Sequence, residues 1–339
     1  IRRPPRSTLS SSSAASDVYK RQPDDPAPAF VDLMQGRGQV RNSVRPGFLG
    51  PSANPFRPDI SSMFKRELED GMKKELLKLR KGHSVKLKLG DQLSVGRLDD
   101  RIGLLKGLDK TCREIDALGS MGAFDTFTQQ AYGILTSGKF AEAMDLSKED
   151  PKIVSRYVPA MKEKELAFFT SEGPQAAKKL LLARRLIEAG VRVVNVSLSD
   201  FDTHSKNFPR MRQLVPIFDH AIATLIEDLE ERGLINDVTV LAWGEFGRTP
   251  KVNANGGRDH WPKVAMAMMA GGGINTGQVI GSTDRYASEA IERPVSYQDV
   301  IATLYHNIGI DPTSTTVEDS TGRPQYLLKT GQPISELIS

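Results

Sequence analysis

The chain has 339 residues, a formal net charge of +4 and a single cysteine, Cys112. This length suits one large domain or two ordinary ones, and one cysteine excludes a disulfide within the chain. No apolar stretch approaches the length that a transmembrane helix needs, so the sequence predicts no membrane span.

The excess positive charge lies in residues 1–22 (IRRPPRSTLSSSSAASDVYKRQ). This segment has five basic residues and one acidic residue, and the rest of the chain has 41 of each sign, which gives no support for nucleic-acid binding. Its serine run and its lack of an apolar face predict no fixed structure. An arginine pair lies near its start, but no apolar stretch follows it as an export signal requires. The segment is similar to translated sequencing-adapter reads, and we interpret it as an artefact.

Residues 23–170 predict a peripheral part made of loops and helices. Proline, glycine and asparagine are frequent in 23–59, which indicates an extended loop that lies on the body of the domain. The run KKELLKLRKGHSVKLKLG resembles a basic amphipathic stretch, but the mixed signs of the charges around it favour a solvated helix and a short strand. Apolar residues at helical spacing predict helices at 63–81, 99–118, 121–135 and 140–146.

Residues 171–339 alternate between helices and near-continuous apolar strands. Such alternation predicts an α/β fold with a doubly wound, mostly parallel sheet flanked by helices. Gly190 and Gly233 follow two of the helices as stop signals, and Ser296 with Asp299 forms a capping-box pattern at the start of the last helix. The predicted strands are 191–198, 238–243 and 264–270, and the predicted helices are 175–189, 211–229 and 296–306.

Polar side chains follow the first two of these strands. Asp202 and His204 lie two residues apart after the first, and Glu245, Asp259 and His260 come after the second. Open α/β folds place their sites at the carboxyl ends of strands. Imidazoles together with carboxylates suit Zn²⁺, Mn²⁺ or Fe²⁺ better than the all-oxygen sites of Ca²⁺. A single histidine would more often only cap a loop, but two histidines with three acids favour one metal site built from two loops.

Two roles fit each of the neighbouring polar residues. Arg248 either forms a salt bridge with Glu245 or Asp259, or contacts an anionic substrate. Asn207 either hydrogen-bonds a ligand or caps the helix that follows, and the cap is favoured because Asn207-Phe208-Pro209 places a proline near the first helical turn. Asn253 is a weaker candidate of the same kind.

Several longer motifs carry a family resemblance. They read LLLARRLIEAGVRVV, DTHSKNFP, GEFGRTP, GGRDHWP, AGGGINTGQVIGSTD and ERPVSYQDVIATLYHNIGID, with GFLGPSANPF and VGRLDDRIGLLKGLD upstream. On these motifs the chain resembles the bacterial family catalogued as domain of unknown function 1501, over nearly everything after residue 22. The resemblance implies the alkaline-phosphatase-like (sulfatase-like) superfamily. In that superfamily a parallel sheet flanked by helices holds two divalent metals, and a nucleophile attacks a phosphate or sulfate ester.

The resemblance also implies roles for individual residues. Asp202, His204 and His260 would bind one metal, and Glu245 would occupy the acid position of the second, with Asp259 as a further candidate ligand. Zn²⁺ or Mn²⁺ would polarise the ester oxygens and lower the pKa of the nucleophile. The implied substrate is a small-molecule or glycan ester. Because family members commonly carry an export signal, the full-length protein is expected to be periplasmic or otherwise extracytoplasmic.

The chain departs from the family pattern at two places. The turn before Asp202 reads LSDF, where the family more often has a glycine pair and a tryptophan, so the geometry of this turn is expected to differ. The family's first strand, with a metal-binding acid and the nucleophile after it, should precede the loop at Gly47, and residues 23–48 offer no equivalent.

The expected architecture is therefore a partial alkaline-phosphatase-like domain at 23–339, incomplete at its amino-terminal end, with 171–339 as the sheet core that carries the metal-site loops. It should bind at most one metal well and hydrolyse esters negligibly, since no nucleophile is found. Two other functions stay open. The chain could be a non-catalytic binding protein of the same fold with a vestigial metal site, or a structural surface protein.

Overall fold

The computed structural model describes residues 27–33, 47–49, 53–58, 60, 97, 138–162, 172–319 and 321–338, and all structural statements concern these residues. Several sequence predictions lie outside them. These are the absence of structure in 1–22, the helices at 63–81, 99–118 and 121–135, and the surroundings of Cys112.

The described part of the chain is a mixed α/β structure. Its helices are α1 (Lys139–Met144), α2 (Pro151–Arg156), α3 (Lys178–Glu188), α4 (Asn207–Glu231) and α5 (Tyr297–Asn307). Its strands are β1 (Phe30–Leu33), β2 (Val193–Val196), β3 (Thr239–Trp243), β4 (Gly247–Arg248), β5 (His260–Trp261), β6 (Ala267–Gly271), β7 (Ser282–Thr283), β8 (Ala290–Glu292), β9 (Thr316–Glu318) and β10 (Pro324–Tyr326). Short 3-10 turns lie at Gly47–Leu49, Leu146–Lys148 and Pro174–Ala177.

The described strands pair into five two-stranded sheets. β1 and β2 are parallel, with Phe30 opposite Val193 and Leu33 opposite Val196. The pairs β3–β6, β4–β5, β7–β8 and β9–β10 are antiparallel. A doubly wound, mostly parallel sheet is thus not present among these strands. The predicted strand at 264–270 exists as β6, but the chain between β3 and β6 contains no crossover helix of the kind that joins parallel strands, and β6 runs antiparallel to β3.

β1 corrects two predictions, that of an extended loop throughout 23–59 and that of no strand within residues 23–48. It pairs with β2 and also bridges to Phe56. Its Asp32 is fully buried and accepts hydrogen bonds from Asn195 Nδ2 at 2.8 Å and from Arg57 Nε at 3.0 Å. The loop prediction was wrong here because β1 is only four residues long and a buried aspartate interrupts its apolar pattern.

α3 joins the two larger parts of the apolar core. Eight of its 11 residues are buried, as expected for a helix that packs on several sides. Leu182 and Leu186 pack in a cluster with residues of β1 and α1. Leu181 packs in a second cluster with Ile217 and Leu229 of α4. This packing holds β2 and α4, and hence the turn between them, against a common helix.

Local signals place the helix ends where the sequence predicts them. Gly233 follows α4 with a φ of 68°, the left-handed region that glycine tolerates best. Ser296 and Asp299 form the predicted capping box at the start of α5. Along the part of the chain that the structure describes, no helix combines the length and the apolar content needed to cross a bilayer.

A buried ionic cluster, which we call the Arg184–Asp228 network, joins α3 to α4. Arg184 Nε donates to Asp228 Oδ2 at 3.0 Å, and Arg184 Nη2 pairs with Glu149 at 2.7 Å. Tyr157 and Arg232 also donate to Asp228, at 2.8 and 2.9 Å. Burial alone would raise the pKa of the Asp228 carboxyl, but the hydrogen bonds from Arg232 and Tyr157 and the charge of Arg184 outweigh burial and lower it.

Candidate metal centre

Two loops form the candidate site. The first loop, residues 197–206, leads from β2 to α4, and the second loop, residues 249–259, leads from β4 to β5. Three backbone hydrogen bonds join them, so that each loop supports the other. They run from the N–H groups of Lys206, Asn207 and Arg258 to the carbonyl oxygens of Asn255, Gly256 and Thr203, at 3.1, 2.9 and 2.9 Å.

The start of α4 is capped by the second loop rather than by its own side chains. Lys206 occupies the N-cap position with a φ of 49° and makes no side-chain cap. Asn207 is the first helical residue, and its buried Oδ1 accepts a hydrogen bond from Thr203 Oγ1. The prediction that Asn207 caps this helix was wrong, because carbonyl groups of the second loop accept from the N–H groups at the helix start.

Backbone approaches backbone where the two loops meet. A Cβ atom at Gly257 would overlap the carbonyl group of His204, so only glycine fits there. Asn253 Nδ2 donates to the same carbonyl oxygen at 3.0 Å. These contacts hold the His204 main chain against the loop that precedes His260.

Three side-chain atoms converge at the junction, as the sequence predicts. Asp202 Oδ1 lies 3.0 Å from His204 Nε2 and 3.0 Å from His260 Nε2, and the two Nε2 atoms lie 3.1 Å apart. Among the described residues, Asp202, His204 and His260 form the group whose ligand atoms lie close enough together to share an ion. All three residues are exposed. The separations also suit hydrogen bonds among the three side chains.

The donor set fits a divalent metal. The three atoms form a nearly equilateral triangle with sides of 3.0–3.1 Å, short enough for one ion to bind all three at the usual Zn–N and Zn–O distances of roughly 2.0–2.2 Å. Two imidazoles and one carboxylate are also the kind of three-ligand set that leaves a fourth position open in catalytic zinc sites.

Asp259 lies behind His204 rather than among the three converging atoms. Its Oδ1 is 2.7 Å from His204 Nδ1, and Asn253 Nδ2 donates to both of its oxygens at 3.3 Å. The hydrogen bonds with His204 and Asn253 lower the pKa of the Asp259 carboxyl. The structure therefore places Asp259 as a hydrogen-bond partner of a candidate ligand.

Arg248 pairs with Asp202 and not with either acid that the sequence suggested. Its Nη1 lies 2.7 Å from Asp202 Oδ1. The distance is that of a close ion pair, although Nη1 lacks the alignment of a full hydrogen bond. Partial burial alone would raise the pKa of the Asp202 carboxyl, but His260 and Arg248 outweigh burial and lower it. The Phe246 ring lies beside both side chains that contact Asp202, with its centroid 4.4 Å from that of His260 and 5.7 Å from the Arg248 guanidinium.

Glu245 is not part of the converging group. Its carbonyl oxygen and that of Gly244 accept hydrogen bonds from the Tyr297 hydroxyl, both at 2.8 Å. Burial and the nearby Glu245 carboxylate raise the pKa of Tyr297. The role of Glu245 as a ligand of a second metal stays a prediction.

Comparison with known proteins places the chain in a family. Residues 7–338 match the sequence model of the family described as "Protein of unknown function (DUF1501)". The chain belongs to this family. The DUF1501 match takes in most of residues 1–22, whose interpretation as an artefact stays a prediction. No curated protein and no solved structure matches the chain.

One support of the candidate site has no signal in the sequence. Lys179 Nζ bonds the Glu172 carboxylate at 2.9 Å and the Ser197 carbonyl at 3.0 Å, and Ser199 donates to the same carboxylate through its N–H and its hydroxyl. The buried pair thus holds the start of the first loop. Glu172 and Ser199 are 27 residues apart, so no local pattern links them.

Proposed function

We propose that this chain binds one divalent metal ion, Zn²⁺ or Mn²⁺, through Asp202, His204 and His260. We further propose that the site serves a metal-dependent hydrolase of phosphate or sulfate esters. The observation that carries the proposal is the convergence of three ligand atoms within 3.0–3.1 Å of one another, on two loops that also hold each other through their backbones. Neutral imidazole and carboxylate oxygen are the ligands that suit these ions.

Arg248 is the reason to favour an anionic ester as the substrate. Its guanidinium lies against Asp202 Oδ1, at the edge of the triangle of ligand atoms. If one oxygen of a phosphate or sulfate group were at the metal, the positive charge of Arg248 would bind another oxygen of the same group. Guanidinium matches such groups in charge and geometry. A bound divalent ion would supply Lewis-acid polarisation of the ester oxygen.

We also propose the architecture, the second metal, the location and the substrate class that the family resemblance implies. A parallel β1–β2 pair, with the first loop following β2 and helices α3 and α4 packed nearby, supports an alkaline-phosphatase-like architecture. A second metal held by Glu245 and an extracytoplasmic location follow from the family resemblance. A small-molecule or glycan ester is the proposed substrate class.

Metal binding by the full 339-residue chain is the decisive test. The purified chain is stripped with a chelator and titrated with Zn²⁺ and with Mn²⁺ by calorimetry. We expect one ion per wild-type chain and loss of that ion in His204→Ala and in His260→Ala. His306→Ala is the matched control, because His306 lies at the end of α5 and outside the converging group. Failure of the wild-type chain to bind either ion would contradict the proposal.

Turnover separates catalysis from binding alone. The metal-loaded chain is assayed with an aryl phosphate and an aryl sulfate. Hydrolysis that disappears in His204→Ala would support a hydrolase and would overturn the sequence-based expectation of negligible activity. Binding without hydrolysis of either ester would instead favour the non-catalytic binding protein.

A further inference from the structure

We propose that Asp259 is a positioning residue of this metal site. Its carboxylate holds the His204 ring so that Nε2 faces Asp202 and His260, and Asn253 in turn holds the carboxylate. The inference rests on the proposed metal site and assigns a role to a residue that the sequence suggested only as a further ligand.

The contact between Asp259 and His204 favours one tautomer of the imidazole. A carboxylate only accepts hydrogen bonds, and the 2.7 Å distance to Nδ1 is shorter than the 3.0 Å from Asp202 to Nε2, so we infer that the hydrogen of His204 lies on Nδ1. The lone pair of Nε2 is then directed at the point where the three ligand atoms converge. Metal-binding histidines in proteins commonly donate their other ring N–H to a carboxylate in this way.

Asn253 joins the carboxylate to the backbone of the ligand it supports. Its Nδ2 lies 3.0 Å from the His204 carbonyl oxygen and 3.3 Å from both Asp259 oxygens. Its Oδ1 accepts from the N–H groups of Asn255 and Gly257, at 3.0 and 2.9 Å. One amide side chain therefore ties together the second loop, the main chain of His204 and the carboxylate behind its ring.

Asp259 and His260 are neighbours in the sequence, and together they contact both ring nitrogens of His204. Asp259 contacts the Nδ1 side of His204, and His260 contacts its Nε2 side. The Asp259 backbone is fixed by Thr249, whose N–H donates to its carbonyl oxygen at 2.9 Å and whose hydroxyl accepts from its N–H at 3.1 Å.

The test compares variants of Asp259 in the full chain, with Zn²⁺ affinity measured by competition with a chromogenic chelator. Asp259→Ala should lower the affinity by roughly 10–100-fold, the usual effect of losing an outer partner of a ligand, with one ion still bound at saturation. Asp259→Asn should recover part of the loss, since its amide oxygen still accepts from Nδ1. Asp219→Asn, which removes an exposed carboxylate of α4, should bind as the wild type does.

The absorption spectrum of the Co²⁺ form distinguishes positioning from ligation. A positioning role predicts that Asp259→Ala keeps the wild-type band pattern, whereas His204→Ala loses it. If the wild-type chain binds no ion, the proposed function fails. Wild-type affinity in Asp259→Ala would refute the positioning role and leave the metal site standing. A loss as complete as in His204→Ala, without recovery in Asp259→Asn, would also overturn the positioning role.

Discussion

Ionisable side chains cluster near both ends of α4, and the two clusters differ in how deeply they are buried. Near its carboxyl end, Asp228 and Arg184 are each only 2% exposed, and they lie among partners of opposite charge. Beyond its amino end, Asp202, His204 and His260 have side chains that are 60%, 48% and 48% exposed. There the closest neighbours include two imidazole nitrogens that face each other.

This difference separates groups that stabilise the fold from groups that can bind a ligand. Removing one member of a buried ion pair leaves the other charged group uncompensated in a medium that solvates it poorly. At the exposed site, water replaces a lost side chain at little cost to folding. Substitutions at the two ends should therefore affect different measurements.

The largest effect on folding is expected for Asp228→Asn. Breaking a buried ion pair by removing one partner costs about 3–5 kcal/mol. Arg184 and Arg232 would both lose their shared carboxylate, but because Glu149 and Glu188 remain as partners of Arg184, we expect a loss at the lower end of this range. Chemical denaturation measures the loss, with Asp219→Asn on the same helix as the control. Zn²⁺ affinity should stay at the wild-type value; a parallel loss of affinity would show that the two ends are coupled.

The same carboxylate should make stability depend on acid. Because folding lowers the pKa of Asp228, its contribution is fully present above the unfolded-state pKa of about 4 and is lost as the pH falls through the lower folded pKa. The unfolding free energy of the wild type should fall between about pH 5 and pH 2, and that of Asp228→Asn should fall less steeply. Exposed carboxylates titrate in both proteins. One of them is Asp319, where hydrogen bonds from Thr321 and the backbone lower the pKa to about 2. Equal slopes would remove Asp228 as a cause.

Gly257→Ala should disturb the site more than the rest of the fold. The added Cβ overlaps the His204 carbonyl group, so the two loops must separate, at a cost of about 1–3 kcal/mol. Zn²⁺ affinity should fall at the same time, because His204 moves away from His260. Gly244→Ala is the control, since a Cβ there meets nothing within 4 Å. Unchanged affinity in Gly257→Ala would mean that the loop junction does not set the geometry of the site.

The smallest effect is expected for Arg156→Ala. Arg156 pairs with Glu227 at 2.9 Å and Glu231 at 2.6 Å, but all three side chains are substantially exposed. Exposed ion pairs contribute roughly 0–1 kcal/mol, and salt screens them. Denaturation at low and high salt should show a small loss that shrinks as salt is added. A loss as large as that of Asp228→Asn would mean that exposure does not separate the two kinds of ion pair.

Local features of the structure could be predicted from the sequence. The ends of α4 and α5 follow from Gly233 and from the Ser296 capping box, and the polar residues after two apolar strands indicated the candidate site. The antiparallel pairing of β3 with β6 could not be predicted, because strand direction depends on the path of the chain between the two strands. β1 was missed because Asp32, a residue usually found at the surface, is buried there with Arg57 and Asn195.

The sequence by itself determined the helices of residues 171–339 and the types of side chain that the two loops present, because helix periodicity and capping act between residues a few positions apart. Only the tertiary structure decided which atoms meet. Asp259 contacts His204 across 55 residues, and Arg248 contacts Asp202 rather than Glu245 or Asp259. Gly257 also packs closely against the His204 main chain, and no spacing along the sequence encodes how closely two loops approach.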